Sequence, residues 1–390
     1  MNHSYNVDVI VVGGGPAGSL LASKLAASGK EVLILDKEEF PREKPCGGGL
    51  TEKALGILDS DIGPVIEEEC YRFYSSYAGS RPFLYEADRP LLYMVQRPRF
   101  DHFLLESARA QGAGVLEGER AKSIRILNSG VMVKTKSAEY FGKYVAGADG
   151  VAGIVSRSLK IVAGKNCGLA ITAKIKPPNN GYLERWRGGF AMDFGVVPRG
   201  YGWVFPKSDH FNVGVFTQLQ SLSGLRQTLA EYMSMKMPDK GQGNEPTSIH
   251  DVKLALIPFG GGKNKLHGPR AVLAGDAACL ADPMTGEGIY YALRSATIAA
   301  NILTKALDTG SEHVISEYSE KIHSEFIADL RASWLISRVY YGFPRFSYQT
   351  ITHPRVVAGY RKSFAKHSQK GEIPYRRLLR DAISSILFLK

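Results

Sequence analysis

The feature that most constrains the fold of this chain is a glycine-rich turn between a short apolar segment and a helical pattern. Residues 8–12 are almost continuously apolar and β-branched, which is typical of a buried parallel strand. A GxGxxG pattern begins at residue 13, residues 16–28 have the apolar side of a helix, and residues 31–36 predict a second strand. This order predicts a βαβ unit that opens a dinucleotide-binding domain.

The residues of the turn have separate physical tasks. Gly13 permits the tight turn, Gly15 lets the backbone approach a pyrophosphate, and Gly18 lets helix and strand pack closely. The helix N-terminus offers free N–H groups and a positive dipole end to phosphates. Asp36 ends the second strand, where it can accept hydrogen bonds from a ribose diol. The turn alone does not separate FAD from NAD, and a glycine turn without a ligand is the alternative.

A second glycine-rich segment favours FAD. A buried strand at residues 270–275 ends in Gly275-Asp276, and a loop then leads to a helix that begins near Gly288 and Ile289. Asp276 could bond the ribityl hydroxyls or the pyrophosphate region, and the N–H groups at the helix start could face the N1–C2=O edge of a reduced flavin. NAD requires no such second segment, so the prediction is FAD.

Composition is that of an ordinary globular protein with a basic end. The chain has 390 residues, of which 44% are hydrophobic, and a net charge of +11. Residues 351–390 hold nine Lys and Arg against two acidic residues. Such an end can face an anionic membrane or an acidic partner, or it can simply be solvated. We expect no nucleic-acid partner.

Cysteine spacing and hydropathy indicate in which cellular compartment the protein is expected. Cys46, Cys70, Cys167 and Cys279 form no CxxC pair, and no His lies at metal-ligand spacing, so we expect neither a disulfide framework nor a metal site. No signal peptide is visible, and no apolar run reaches the ~18–20 residues of a membrane span. We expect a cytoplasmic protein, with peripheral contact to the inner face of the plasma membrane as an extension.

Four further motifs carry a family resemblance. Ala-Asp-Gly at residues 148–150 ends a predicted strand, PREKPCGGGL occupies residues 41–50, YGWVFPK residues 201–207 and DPMTGEG residues 282–288. Together with the glycine turn, this set resembles the geranylgeranyl reductase family of FAD-dependent oxidoreductases, within the p-hydroxybenzoate-hydroxylase-like flavoproteins. The resemblance covers roughly the first 305 residues, and the segment after residue 310 matches no motif.

The resemblance implies an α/β fold. It comprises a Rossmann-like FAD-binding domain, an inserted antiparallel β-sheet substrate domain and a C-terminal helical region. The expected FAD-binding pieces are residues 1–70, 93–165 and 265–308. The substrate sheet is expected at residues 71–92 and 166–264, and the helical region at 309–390. Within the sheet, residues 168–176 alternate in hydrophobicity, which predicts a half-exposed strand.

The resemblance also implies site residues. Arg97 precedes a helix at a position that this family uses for FAD, and Ala121 lies where the family contacts the adenine side. Cys46 could touch flavin or substrate, or relay a proton as the catalytic residue, or pack without chemistry. Arg42 and Lys44 could lie near phosphate or be solvated. The candidate cofactor-binding residues are Gly13, Gly15, Pro16, Ala17, Gly18, Asp36, Lys37, Cys46, Gly47, Gly48, Arg97, Ala121, Asp276, Gly286, Gly288 and Ile289.

Aromatic residues supply the candidate substrate contacts. Tyr201, Trp203 and Phe205 alternate along a predicted strand and therefore share one face, as either a polyprenyl-binding wall or ordinary core. The late aromatics could roof an apolar tunnel, although core packing is the more frequent use; they are Trp334, Tyr340, Tyr341, Phe343, Phe346 and Tyr348. Residues 376–390 predict a basic amphipathic helix that could rest on an anionic bilayer or on the protein itself.

The implied activity is FAD-dependent saturation of isolated isoprenoid C=C bonds. Reduced flavin supplies hydride from N5, and a proton reaches the other carbon. A monooxygenase or halogenase of the same fold is the first alternative, since YGWVFP is distantly similar to the WxWxIP pattern of tryptophan halogenases. A flavin-binding protein without turnover is the remote alternative. No second dinucleotide fingerprint is visible, so NAD(P)H or a ferredoxin is the expected electron donor.

Overall fold

The computed structural model describes residues 5–161, 166–177, 180–221, 223–236 and 249–359. The predicted amphipathic helix at residues 376–390 lies outside these residues. The strands are β1 (Tyr5–Val12), β2 (Val32–Leu35), β3 (Gly49–Leu50), β4 (Ile66–Cys70), β5 (Arg72–Tyr77), β6 (Ser80–Glu86), β7 (Leu92–Val95), β8 (Gly114–Leu116), β9 (Ser123–Leu127), β10 (Gly130–Lys134), β11 (Glu139–Gly147), β12 (Cys167–Ile175), β13 (Gly189–Phe194), β14 (Gly200–Pro206), β15 (Phe211–Thr217), β16 (Ile249–Pro258), β17 (His267–Gly268) and β18 (Ala271–Leu273).

The helices are α1 (Pro16–Ala27), α2 (Glu52–Leu55), α3 (Arg97–Ala110), α4 (Ile154–Ser158), α5 (Asn180–Glu184), α6 (Leu225–Lys236), α7 (Ile289–Thr309), α8 (Glu317–Ile322), α9 (Ala328–Gly342) and α10 (Pro344–Ile351). The chain after α7 is helical as far as it is described, as the sequence predicts. None of the helices in the described part of the chain has both the length and the hydropathy needed to cross a bilayer.

The first sheet contains the predicted βαβ unit. Its order is β17-β18-β11-β1-β2-β8, with β10 joining the first half of β11 and β9 joining β10. The neighbours β18, β11, β1, β2 and β8 pair in parallel, so the loops after their carboxyl ends share one edge. Helices α1, α3 and α7 contribute apolar residues to the core that packs against this sheet. The strand and helix predicted around the glycine turn are confirmed.

The second sheet contains the predicted aromatic strand. Its order is β16-β12-β15-β14-β13-β5-β6, and all pairs are antiparallel except β13 with β5. A third sheet, β3-β7-β4, was not predicted. Its strands have only two to five residues, too few for a clear alternation of hydrophobicity.

The prediction of a half-exposed strand at residues 168–176 is wrong. The observed strand β12 is buried on both faces. Ile171, Ala173 and Ile175 pack with α6 on one side, whereas Ala170 joins an aromatic cluster that reaches α9 and α10 on the other. The alternation in the sequence therefore reflects two different protein environments, one on each face of the sheet. Neither face of the strand is exposed to solvent.

Candidate flavin site

A cavity of about 1180 Å³ lies between the two larger sheets. It exceeds the ~300–1,000 Å³ typical of sites for drug-sized ligands. Every predicted site residue except Gly18 lines it: Gly13, Gly15, Pro16, Ala17, Asp36, Lys37, Cys46, Gly47, Gly48, Arg97, Ala121, Tyr201, Trp203, Phe205, Asp276, Gly286, Gly288 and Ile289. One cavity therefore brings together residues that are up to 276 positions apart in the chain.

The glycine turn is packed so closely that two of its positions cannot carry a side chain. Gly13 has φ of +105°, and a Cβ there would lie 2.4 Å from the Ala148 carbonyl oxygen. A Cβ on Gly18 would lie 1.8 Å from the Gly13 carbonyl oxygen, which explains why Gly18 serves packing and does not reach the cavity. Gly15 differs, because a Cβ there would meet only Arg42 Nη2, at 3.4 Å. The space beside Gly15 is open to a ligand.

Asp36 is buried beside the turn and also stabilises it. Its Oδ2 accepts a hydrogen bond from Gly14 N at 2.6 Å, and its Oδ1 accepts one from Glu38 N at 2.8 Å. Each carboxylate oxygen retains a lone pair for a second donor. The geometry is compatible with a ribose hydroxyl at the same carboxylate, and Lys37 follows it at the cavity wall.

Arg42 completes a buried ionic group next to the turn. The Asp101 carboxylate accepts two hydrogen bonds from Arg97, both 2.7 Å long, and lies 2.9 Å from Arg42 Nη2. Arg42 Nη1 is buried and has no hydrogen-bond partner within the described residues. A buried donor of this kind is costly unless a ligand satisfies it. A pyrophosphate at Gly15 would supply that acceptor, so the residues present fit FAD.

The second glycine-rich segment meets the first at the same cavity. Gly275–Ala278 forms a short 3₁₀ turn after β18, and α7 begins at Ile289 with Gly288 before it. The loop between them is held by Asp282, whose Oδ1 accepts hydrogen bonds from the N–H groups of Met284 and Thr285 at 2.9 and 2.8 Å. The α7 N-terminus therefore opens towards the cavity.

Asp149, from the predicted Ala-Asp-Gly motif, caps a helix. Its Oδ2 accepts hydrogen bonds from Ile154 N at 2.5 Å and Val155 N at 3.0 Å, at the start of α4. Burial raises the pKa of this carboxyl, although the backbone donors act against the rise. The motif thus fixes α4 against the wall of the cavity.

Tyr201, Trp203 and Phe205 form an aromatic wall on one face of β14. The Tyr201 hydroxyl donates to the Thr285 carbonyl oxygen, and Trp203 Nε1 donates to Asn212 Oδ1 at 2.9 Å. Tyr201 and Trp203 are buried in an aromatic cluster and also line the cavity. The two predicted uses of these rings, as core and as cavity wall, therefore do not exclude each other. Phe205 lies over the glycines that follow Cys46, with its ring 2.9 Å from an ideal Cβ on Gly47.

The late aromatics do not line the cavity. Trp334, Tyr340, Tyr341 and Tyr348 pack in the same aromatic cluster as Tyr201 and Trp203, which confirms the core interpretation for them. Phe343 and Phe346 are instead 68% and 69% exposed.

Cys46 lies close to polar groups, of which the sequence did not predict the buried Lys207. Its Sγ accepts a hydrogen bond from Gly48 N at 3.3 Å, and Arg97 is hydrogen-bonded to the same side chain. Lys207 is almost fully buried beside it and donates from Nζ to the Gly48 carbonyl oxygen at 3.0 Å. Burial lowers the pKa of Lys207 to about 8. The YGWVFPK pattern contained this lysine, but no local signal in the sequence indicated that it is buried.

Comparisons with known proteins agree with this geometry. The family described as "FAD binding domain" matches residues 6–170. An uncharacterised protein of Methanosarcina barkeri is 33% identical over 86% of this chain and 84% of its own. A menaquinone reductase of Mycobacterium tuberculosis is 30% identical over 78% of both chains. A digeranylgeranylglycerophospholipid reductase of Methanocella arvoryzae is 29% identical over 85% of this chain and 86% of its own.

Solved structures show the same fold. A geranylgeranyl bacteriochlorophyll reductase-like protein of Thermoplasma acidophilum superimposes with a TM-score of 0.73 at 23% identity, over 86% of this chain and 87% of its own. A flavin-dependent brominase gives 0.71 at 19% identity, over 98% and 99%. Fold, cavity and family match together define an FAD-dependent oxidoreductase with the p-hydroxybenzoate-hydroxylase-like architecture. Within that class, the chain belongs to the geranylgeranyl reductase family.

Proposed function

We propose that this protein saturates isolated C=C bonds of geranylgeranyl or related isoprenoid chains carried by a lipid. The observation that carries the proposal is the continuity of one cavity from the charged glycine turn to the aromatic wall of β14. A flavin bound at the turn leaves an apolar space beside its reactive end. The relatives named for menaquinone and for a digeranylgeranyl glycerophospholipid support a prenyl chain as the occupant.

The cofactor, when bound, supplies the hydride. The protein's own residues then have three tasks. The free Arg42 Nη1 and the α1 N-terminus would bind the pyrophosphate, and the α7 N-terminus would offer its N–H groups to the flavin. Tyr201, Trp203 and Phe205 would exclude water and orient the alkene. An isolated alkene accepts hydride poorly, so orientation and a nearby acid are both required. Cys46, which lines the cavity beside these rings, is the proposed proton donor.

Anaerobic flavin reoxidation tests the reaction. Dithionite-reduced holoprotein mixed with a geranylgeranyl lipid in detergent should regain its oxidised absorbance without oxygen, and mass spectrometry should show a gain of two hydrogens per bond. Cys46→Ser should slow the reoxidation while FAD remains bound. A requirement for oxygen with hydroxylated or halogenated product would support the monooxygenase or halogenase alternative. Reduced protein that stays reduced with every prenyl substrate would contradict the proposal.

NAD(P)H or a reduced ferredoxin is proposed as the electron donor. The choice is measured by anaerobic reduction of the FAD-loaded protein with NADH, NADPH or ferredoxin in separate experiments. The net charge of +11 would favour an acidic ferredoxin. A ferredoxin reaction that slows at high salt, while reduction by NADPH is undetectable, would support that donor.

A peripheral contact with anionic membranes is proposed for one exposed face of α9 and α10. This apolar ridge consists of Leu335, Val339, Phe343 and Phe346, all exposed. Exposed arginines flank it at positions 331, 338 and 345. Apolar anchors beside basic residues suit an anionic lipid surface.

Co-sedimentation should detect binding to phosphatidylglycerol vesicles and weaker binding to phosphatidylcholine. Phe343→Ser with Phe346→Ser should lower it at least 100-fold, because burying each aromatic side chain contributes about 1.5–3 kcal/mol. Dimerisation through the ridge without vesicle binding would contradict the proposal.

A further inference from the structure

A small polar crevice lies directly behind the loop that holds Cys46. Its volume is about 30 Å³, enough for one or two water molecules. Cys46, Gly47, Arg97 and Thr172 line both this crevice and the main cavity, so the Cys46 loop separates the two spaces. Lys207 lines only the crevice. The main cavity and the polar crevice are therefore separated by a wall that carries the Cys46 thiol.

Lys207 has an unusual position for a lysine. Only 3% of it is exposed, and its single hydrogen-bond acceptor within the described residues is the Gly48 carbonyl oxygen at 3.0 Å. An ammonium has three N–H donors, so two remain for water in the crevice. No carboxylate lies within ion-pair distance of it in the described part of the chain.

Other titratable groups surround Lys207 from several elements. Burial lowers its pKa to about 8, and the nearby Cys46, Cys70 and Glu67 act against that shift. His210, at the end of the same turn, has its own pKa lowered by burial, and Lys174 and Lys207 contribute to the lowering. A buried amine that titrates near neutral pH can both give and take a proton under working conditions, which a lysine with an ordinary pKa cannot.

We propose that the crevice is the proton-entry site of the enzyme and that Lys207 reprotonates Cys46 after each bond is reduced. This inference rests on the proposed function. Hydride from reduced flavin forms one C–H bond and oxidises the flavin. The Cys46 S–H bond breaks as its proton forms the second C–H bond. The resulting thiolate takes a proton from Lys207 Nζ through a water molecule in the crevice that both residues line, and the neutral amine then takes one from solvent water. Atoms and electrons balance over each saturated bond.

The relay predicts a difference between the first bond reduced and the later ones. In the proposed relay the first proton comes from the Cys46 thiol itself, so the first bond does not need Lys207. With excess dithionite present to reduce the flavin again after each bond, Lys207→Met should reduce the first double bond of a multiply unsaturated substrate at close to the wild-type rate. Later bonds should be reduced at least tenfold more slowly than in the wild type. Rapid-quench mass spectrometry of the partly saturated products measures both phases. Equal rates in the two phases for wild type and variant would overturn the relay.

Alkylation of Cys46 gives a readout that does not depend on turnover. Lys207 and Cys46 line the same crevice, so removal of the ammonium in the FAD-loaded Lys207→Met protein should slow modification of Cys46 by iodoacetamide about tenfold at pH 7. Half-buried Cys167, in the same protein, is the internal reference. Lys174→Met is the matched control, because Lys174 pairs with Glu43 at 2.7 Å on the outer side of the crevice. An unchanged Cys46 rate in Lys207→Met would overturn the proposed coupling.

A second variant separates charge from proton transfer. Lys207→Arg keeps the positive charge but cannot release a proton at neutral pH. It should preserve the alkylation rate of Cys46 and still slow the later bonds. Full recovery of the later bonds by arginine would show that charge alone suffices and would overturn the relay. If wild-type protein reduces no prenyl chain at all, the proposed function fails, whereas the alkylation experiment still decides whether Lys207 acts on Cys46.

Discussion

The wall of the cavity formed by the eight-stranded sheet presents backbone and charge, whereas the wall formed by the seven-stranded sheet presents aromatic rings. In the first wall, Gly13 and Gly15 expose main chain to the ligand, and Arg42 and Asp36 add charge. In the second, Tyr201 and its neighbours on β14 present side chains. A phosphate requires close backbone and fixed donors, and an alkene requires an apolar surface of the right shape. Under the proposed function, the two walls would therefore bind different parts of one reaction complex, the cofactor and the prenyl chain.

The largest effect is expected at the backbone wall. Gly15→Val should lower FAD affinity at least 100-fold, or about 3 kcal/mol, because the new side chain occupies the space proposed for the pyrophosphate. The fold should survive, because Gly15 has φ of −73° and meets only a side-chain tip. Fluorescence titration of the apoprotein measures the affinity. Gly18→Val is the contrasting variant and should prevent folding. An FAD affinity of Gly15→Val within threefold of the wild-type value would contradict the placement of the pyrophosphate beside Gly15.

The next effect tests the buried charge of Lys207, which follows the aromatic strand β14. The pKa of Lys207 falls from 10.5 to about 8 on folding, which corresponds to about 3 kcal/mol of burial cost at pH 7. The unfolded chain holds the proton more tightly, so wild-type stability relative to Lys207→Met should rise as the pH increases from 8 to 10.5. Urea unfolding of both FAD-loaded proteins at pH 7 and pH 10 measures the change. A pH-independent difference would mean that the lysine is not desolvated in solution.

A smaller effect is expected for Arg42, whose Nη1 has no hydrogen-bond partner within the described residues. Arg42→Met should weaken FAD about tenfold, or 1.4 kcal/mol, by removing a charge-assisted contact to phosphate. The salt dependence of FAD binding should also weaken. Arg99→Met is the control, because Arg99 is half-exposed and pairs with Glu67 at 2.5 Å, outside the cavity. Equal losses in the two variants would show that general charge, and not the Arg42 contact, binds the cofactor.

The smallest effect separates the two walls most cleanly. Phe205→Leu should leave FAD affinity within twofold and slow prenyl-driven reoxidation of the flavin about threefold to tenfold, since lost orientation affects the rate and not the cofactor. Phe211→Leu is matched in residue type and lies in the core on the opposite side of the same sheet. It should lower the free energy of unfolding without a change in rate. Loss of FAD from Phe205→Leu would show that the walls do not act separately.

The sequence predicted what local pattern controls. The strand, turn and helix around Gly13 have local signatures, and the alternation of Tyr201, Trp203 and Phe205 correctly indicated a shared face. It did not predict that Arg42 and Arg97 share Asp101, or that Lys207 is buried beside Cys46, because these pairs depend on loop positions that only tertiary packing fixes. The error at β12 also comes from tertiary packing, because the sequence does not show that α6 covers one face of this strand and an aromatic cluster covers the other.

Two tyrosine hydroxyls anchor the loop before α7, one from β14 and one from α9. Tyr341 donates to the Met284 carbonyl oxygen at 2.6 Å, and Tyr201 donates to that of Thr285. The C-terminal helices are thus tied by a hydrogen bond to backbone only a few residues from the α7 N-terminus. A chimera that exchanges these helices between relatives to alter selectivity should therefore carry residues 282–288 along with them. Grafting the helices alone would remove the Tyr341 hydrogen bond and leave the loop held by Asp282 and Tyr201.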